Sequence, residues 1–122
     1  MRLLSVVLLP AALLAQAGNY KGEWQGQVAN GDFRISLETA EGQWKASVTF
    51  SIAGNEVKTR VTSLQVSPEK IAAEYEFELG GNKLASRIEG KLVEGKIEGV
   101  YRTKVVENGT QVDEGSWKAA RQ

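Results

Sequence analysis

The feature that most constrains this chain is the regular return of turn dipeptides. Asn30-Gly31, Glu41-Gly42, Gly54-Asn55, Gly80-Gly81, Glu94-Gly95 and Asn108-Gly109 each bring glycine to a place where a two-residue hairpin loop needs positive φ. Ser67-Pro68-Glu69 adds a seventh turn, its proline fixing φ. Between the turns, apolar and polar residues alternate with period two, and no stretch repeats apolar residues at helical spacing. Strands are expected near 20–29, 32–39, 43–53, 56–66, 71–79, 82–93, 96–106 and 111–119. Eight short strands joined by hairpins predict an all-β, antiparallel up-and-down meander. Closure would remove both sheet edges, so a small closed barrel is the first expectation and a two-sheet sandwich the alternative.

The turns also set register. A two-residue loop at Asn30-Gly31 would place Val28 opposite Phe33 and Trp24 opposite Leu37. Glu41-Gly42 sets Phe33 against Phe50 and Ile35 against Val48; Gly80-Gly81 sets Phe77 against Leu84 and Tyr75 against Ser86. Glu94-Gly95 sets Ile88 against Tyr101 and Gly90 against Gly99. In every pair both partners lie on the apolar face, as a correct register requires. The apolar phase changes twice, between Val61 and Leu64 and between Val112 and Trp117. A β-bulge near Thr62-Ser63 and another near Glu114-Gly115 would restore it.

All nine aromatic residues fall on one face: Tyr20, Trp24, Phe33, Trp44, Phe50, Tyr75, Phe77, Tyr101 and Trp117. The last eight of these are the candidate lining of an interior ligand site. Gly22, Gly26, Gly90 and Gly99 share that face. They either let the wall curve beneath Trp24 and Trp117 or leave a pocket floor bare of side chains.

Composition narrows the chemistry. The chain has neither cysteine nor histidine, which removes disulfides, thiolate nucleophiles, zinc–sulfur sites and the usual general base. Fifteen basic and fifteen acidic side chains cancel, so no electrostatic footprint for nucleic acid is present. Glu74, Glu76 and Glu78 line the outer face of one strand as an acidic stripe. The register puts Glu78 beside Lys83, Glu74 beside Arg87 and Lys91 across from Glu98, the pattern of ordinary cross-strand pairing worth about 0.2–1 kcal/mol each. Asp113 and Glu114 are adjacent carboxylates, but nothing in the sequence buries one of them as acid–base work requires. Ser86, Thr59 and Thr103 point inward with no histidine to activate them. Asn108-Gly109-Thr110 fits a glycosylation sequon and equally a turn. The expectation is a protein that is no enzyme, with no catalytic residues, no cofactor and no metal.

The first seventeen residues predict a secretory leader. Arg2 precedes an apolar run over 3–14, and Ala15-Gln16-Ala17 matches the small-x-small cleavage pattern. The run is too short to span a bilayer, which takes about 20 apolar residues. Residues 18–122 would then form a single secreted or periplasmic domain with no stable membrane anchor.

Gly22-Glu23-Trp24 on the first strand of such a meander resembles the Gly-x-Trp element of the calycins, the group of lipocalins, fatty-acid-binding proteins and avidins. Gly22-Glu23-Trp24-Gln25-Gly26 is similar to the opening of the avidins, whose pattern has Asn where Gly26 stands and a tyrosine where this chain offers Trp44. The resemblance implies a barrel whose last strand covers Trp24 with a basic side chain, for which Lys118 and Arg121 are available. The functional expectation is a small apolar or amphipathic ligand held in an aromatic interior. A solid barrel docking another exported protein through its loops or outer face, as an accessory or inhibitory module, is the competing one. The exposed apolar residues of that face, Val93, Val100 and Val106, are few and spread among charges, and lend it little.

Overall fold

The computed structural model describes residues 16–122; the leader expected at 1–17 lies outside them apart from Gln16 and Ala17. Nine antiparallel strands form one sheet: β1 (Gly18–Gly26), β2 (Asn30–Ala40), β3 (Gln43–Ile52), β4 (Asn55–Lys58), β5 (Arg60–Val66), β6 (Lys70–Leu79), β7 (Asn82–Val93), β8 (Lys96–Val105) and β9 (Gln111–Arg121). Their spatial order is β4-β3-β2-β1-β9-β8-β7-β6-β5. The first and last strands therefore pair in the middle of the sheet, and its two edges, β4 and β5, are consecutive in the chain.

That arrangement explains why eight expected strands become nine. The segment expected as one strand over 56–66 breaks at Thr59. Before the break it pairs with β3 (Thr49 with Lys58, Phe50 with Val57); after it, with β6 (Arg60 with Glu76, Val61 with Tyr75). Thr59 itself donates its hydroxyl to the Val48 carbonyl at 2.7 Å. One broken strand thus spans both edges and draws the sheet into a nearly closed barrel. A seam remains where β3 and β5 approach without a ladder between them.

Three hairpins take the register expected of them: Phe33 pairs with Phe50, Phe77 with Leu84 and Ile88 with Tyr101. The first does not. Trp24 lies opposite Gly31, not Leu37, and Leu37 pairs with Gly18. The turn falls earlier, over 27–29, closed by the Gly26 amide donating to the Ala29 carbonyl at 2.9 Å, and Val28 stands in solvent at 77% exposure instead of facing Phe33. The third hairpin turns at Ala53-Gly54, with φ of 53° and 81°, one residue before the expected Gly54-Asn55. The Thr62 bulge is present. The second bulge lies at Val112, two residues ahead of the expected Glu114-Gly115.

Inward side chains alternate with outward ones along every long strand, and the core runs through the barrel from Tyr20, Leu37, Ile71 and Ile97 to Trp24, Phe33, Tyr75 and Ile88. One end is closed. There the Tyr20 hydroxyl donates to the Gln16 carbonyl at 2.8 Å and accepts from Arg121 Nη2 at 2.8 Å. Arg121 Nη1 donates to the Ala17 carbonyl at 2.6 Å, and the buried Gln16 side chain donates to the Ser67 carbonyl. The basic side chain expected over Trp24 is found here instead: Arg121 lies over the Tyr20 ring, 5.1 Å from its centroid. Lys118 points outward to Glu23 at 3.6 Å.

Candidate functional site

At the opposite end, the turns after β1, β3, β6 and β8 surround an opening into the barrel. Behind it lies a cavity of about 210 Å³. Seven of the eight expected aromatic residues line it: Trp24, Phe33, Phe50, Tyr75, Phe77, Tyr101 and Trp117. Trp44 does not. It is the second residue of β3, at the closed end, opposite Thr39, half-buried, with its indole Nε1 shut away from solvent and without a hydrogen-bond partner among the described residues.

The aromatic walls are held by specific contacts. Trp24 meets Phe50 and Tyr101 edge to face, each at 5.9 Å between centroids, and donates its Nε1–H to the Ser51 carbonyl at 2.9 Å. Phe50 meets Phe77 at 4.9 Å, nearly perpendicular. Trp117 packs 4.9 Å from Phe33 and donates to the Val100 carbonyl at 3.2 Å. Both cavity indoles have thereby spent their only donor on the wall, and their rings face the interior as apolar surface.

The inward glycines make room for these contacts. A Cβ at Gly90 would come within 2.7 Å of the Trp117 ring, and one at Gly22 within 1.9 Å of the Lys118 carbonyl oxygen. At Gly26 a Cβ would strike the Tyr101 hydroxyl at 2.1 Å and Asp113 Oδ2 at 2.3 Å. The glycines therefore serve packing and curvature, and the cavity floor is aromatic, not bare.

The polar groups of the lining include Ser86 and Thr103, the hydroxyls expected to point inward, and Asp113, which was not expected there. Ser86 and Thr103 hydroxyls share a hydrogen bond of 2.5 Å, and Tyr75 lies directly opposite Ser86 in the β6–β7 register. Tyr101 donates its hydroxyl to Asp113 Oδ2 at 2.8 Å, while Oδ1 accepts from the Gln27 amide at 3.0 Å. Burial raises the Tyr75 phenol's pKa above its ordinary value. Burial does the same to Tyr101, reinforced by its hydrogen bond to Asp113 and by that carboxylate's charge. Asp113 turns inward because the bulge lies at Val112: placed two residues later, it would have left the carboxylate outside. Thr103, an inward polar residue directly opposite Asp113, was with Ser86 the sequence sign of a polar wall here.

The remaining candidates lie elsewhere. Two carboxylates of the acidic stripe are paired: Glu74 with Arg87 at 3.0 Å, and Glu76 with Arg60 at 2.5 Å and with Lys83 at 3.6 Å. Lys83 pairs in register with Glu78, yet its ammonium reaches Glu76. Among the described residues no three carboxylates converge on a position that could hold a metal ion. Asn108-Gly109 lies within the last turn, which spans 106–110 and not the two residues expected; Asn108 Oδ1 accepts from the Thr110 amide at 3.0 Å. No protein-family model, curated protein or solved structure matches this chain.

Proposed function

We propose that this chain is an exported, non-enzymatic β-barrel that holds a small apolar or amphipathic ligand in its interior. The observation that carries the reading is the cavity of about 210 Å³ walled by seven aromatic side chains and open at one end. An engineered protein cavity of about 150 Å³ accommodates benzene, so this one takes a ring and a short substituent, or two fused rings. Val28, Leu79 and Val112 are exposed large apolar residues and all three edge the mouth, a placement suited to passing an apolar group inward. The nearly closed nine-stranded barrel, with Trp24 on the first strand against the last, is compatible with a calycin architecture, and we extend that resemblance to function. Export rests on the leader pattern over 1–17.

Titrating tryptophan fluorescence with a panel of aromatic dyes and fatty acids of increasing length tests the proposal. A saturable change with small aromatic members is expected. The absence of saturable binding by any member overturns the reading.

A further inference from the structure

The cavity's charge and size together specify a ligand class. Among the described residues lining it there is no lysine or arginine, and Asp113, at the mouth, is the only charged side chain. Its two oxygens accept from Tyr101 and from the Gln27 amide, and no cation pairs with it among the described residues. A carboxylate offers about four lone-pair positions, so each oxygen keeps capacity for a further donor. An anionic ligand would meet a like charge at the entrance and find no compensating cation inside, a desolvation cost with nothing to offset it. A cationic head meets the reverse: a fixed carboxylate at the rim, and behind it the aromatic faces to which cations are attracted. The volume excludes a long acyl chain but accepts one ring with a short tether.

On these grounds, and resting on the interior-binding reading above, we propose that the site selects a compact protonated aromatic amine. Its ring enters among Trp24, Phe50, Phe77 and Trp117, and its ammonium donates to Asp113.

Calorimetric titration of the full chain with three probes of matched shape tests this: 2-phenylethylammonium, 2-phenylethanol and 3-phenylpropionate. The ammonium is expected to bind at least tenfold more tightly than the alcohol, with the carboxylate weakest. In Asp113→Asn, which keeps an acceptor for Tyr101, the ammonium and the alcohol should bind alike. Should that variant fail to fold, the three-probe ranking on the unaltered protein decides alone. Equal binding of ammonium and alcohol, or tightest binding of the carboxylate, overturns the selectivity while leaving interior binding standing. Failure of all three probes to bind, together with no saturable response to the dye panel, overturns interior binding itself.

Discussion

Trp24 and Trp117 sit directly opposite one another on β1 and β9, the pair of strands that joins the two ends of the chain in mid-sheet. Each indole is nearly buried, each donates to a backbone carbonyl of a different strand, and both line the cavity. The same two residues therefore tie the barrel together and wall its interior.

Removing one of them should be costly. Trp24→Ala deletes a ring packed against Phe50 and Tyr101 and leaves the Ser51 carbonyl without its donor. A loss of about 3–5 kcal/mol is expected, as for other buried aromatic truncations, a large part of the roughly 5–15 kcal/mol a small domain possesses. Denaturant unfolding of the variant and the parent measures it; a loss below about 1 kcal/mol would contradict the packing described.

Trp44 offers the opposite case. Its indole N–H is buried with no acceptor among the described residues, a group whose desolvation costs about 1–3 kcal/mol. Trp44→Phe removes that donor as well as some packing, so the two effects offset and stability should change by less than about 1 kcal/mol. Trp117→Phe, which discards a satisfied donor and contacts with Phe33, should be clearly destabilising in the same assay. Equal losses at the two positions would refute the difference.

Gly26→Ala tests the Tyr101–Asp113 pair by steric means. The added methyl would lie 2.1 Å from the tyrosine hydroxyl and 2.3 Å from the carboxylate, so one or both must move. A cost of about 1–3 kcal/mol is expected, the usual range for overpacking. The variant's near-ultraviolet tyrosine circular dichroism should change along with its midpoint of unfolding; an unaltered spectrum would show that the pair is not where the geometry puts it.

The tyrosines set an alkaline limit. Tyr20, Tyr75 and Tyr101 all have pKa values raised from 10.0, in each case chiefly by burial. A raised folded-state pKa gives stability that is complete below the unfolded value and is lost as pH climbs toward the folded one. Stability should accordingly be flat with respect to these groups through neutral pH and decline above pH 10, by about 1.4 kcal/mol per pH unit for Tyr75. Tyrosinate absorbance followed with circular dichroism checks the coupling. Ionisation of all three at pH 10 without loss of structure would contradict their burial.

How far the sequence could be read turns on what its glycines were doing. Glu41-Gly42 and Glu94-Gly95 are two-residue turns with positive φ at both positions, and at these hairpins the register follows from the dipeptide alone. Asn30-Gly31 carries the same signal for another reason. A Cβ at Gly31 would meet the Ser51 carbonyl oxygen at 1.9 Å and Trp24 Nε1 at 2.9 Å, so this glycine is a spacing requirement inside β2, and the turn lies elsewhere. A dipeptide cannot distinguish conformational need from tertiary crowding. The Val112 bulge was hidden similarly, because period two locates a phase change only to within a few residues. That uncertainty decided whether Asp113 faced solvent or cavity. The aromatic wall survived it, since the shift in the first hairpin moved the pairing by an even number of residues and kept every ring on its face.

Entry of a small aromatic molecule into the barrel would be reported by the three tryptophans within one spectrum. Each indole N–H gives its own nitrogen–proton NMR signal; Trp24 and Trp117 line the cavity, and Trp44 lies apart from it. Titration with 2-phenylethylammonium should move the Trp24 and Trp117 signals saturably while leaving Trp44 in place. Signals that stay fixed throughout, or a Trp44 signal that moves as far as the other two, would contradict binding in the cavity.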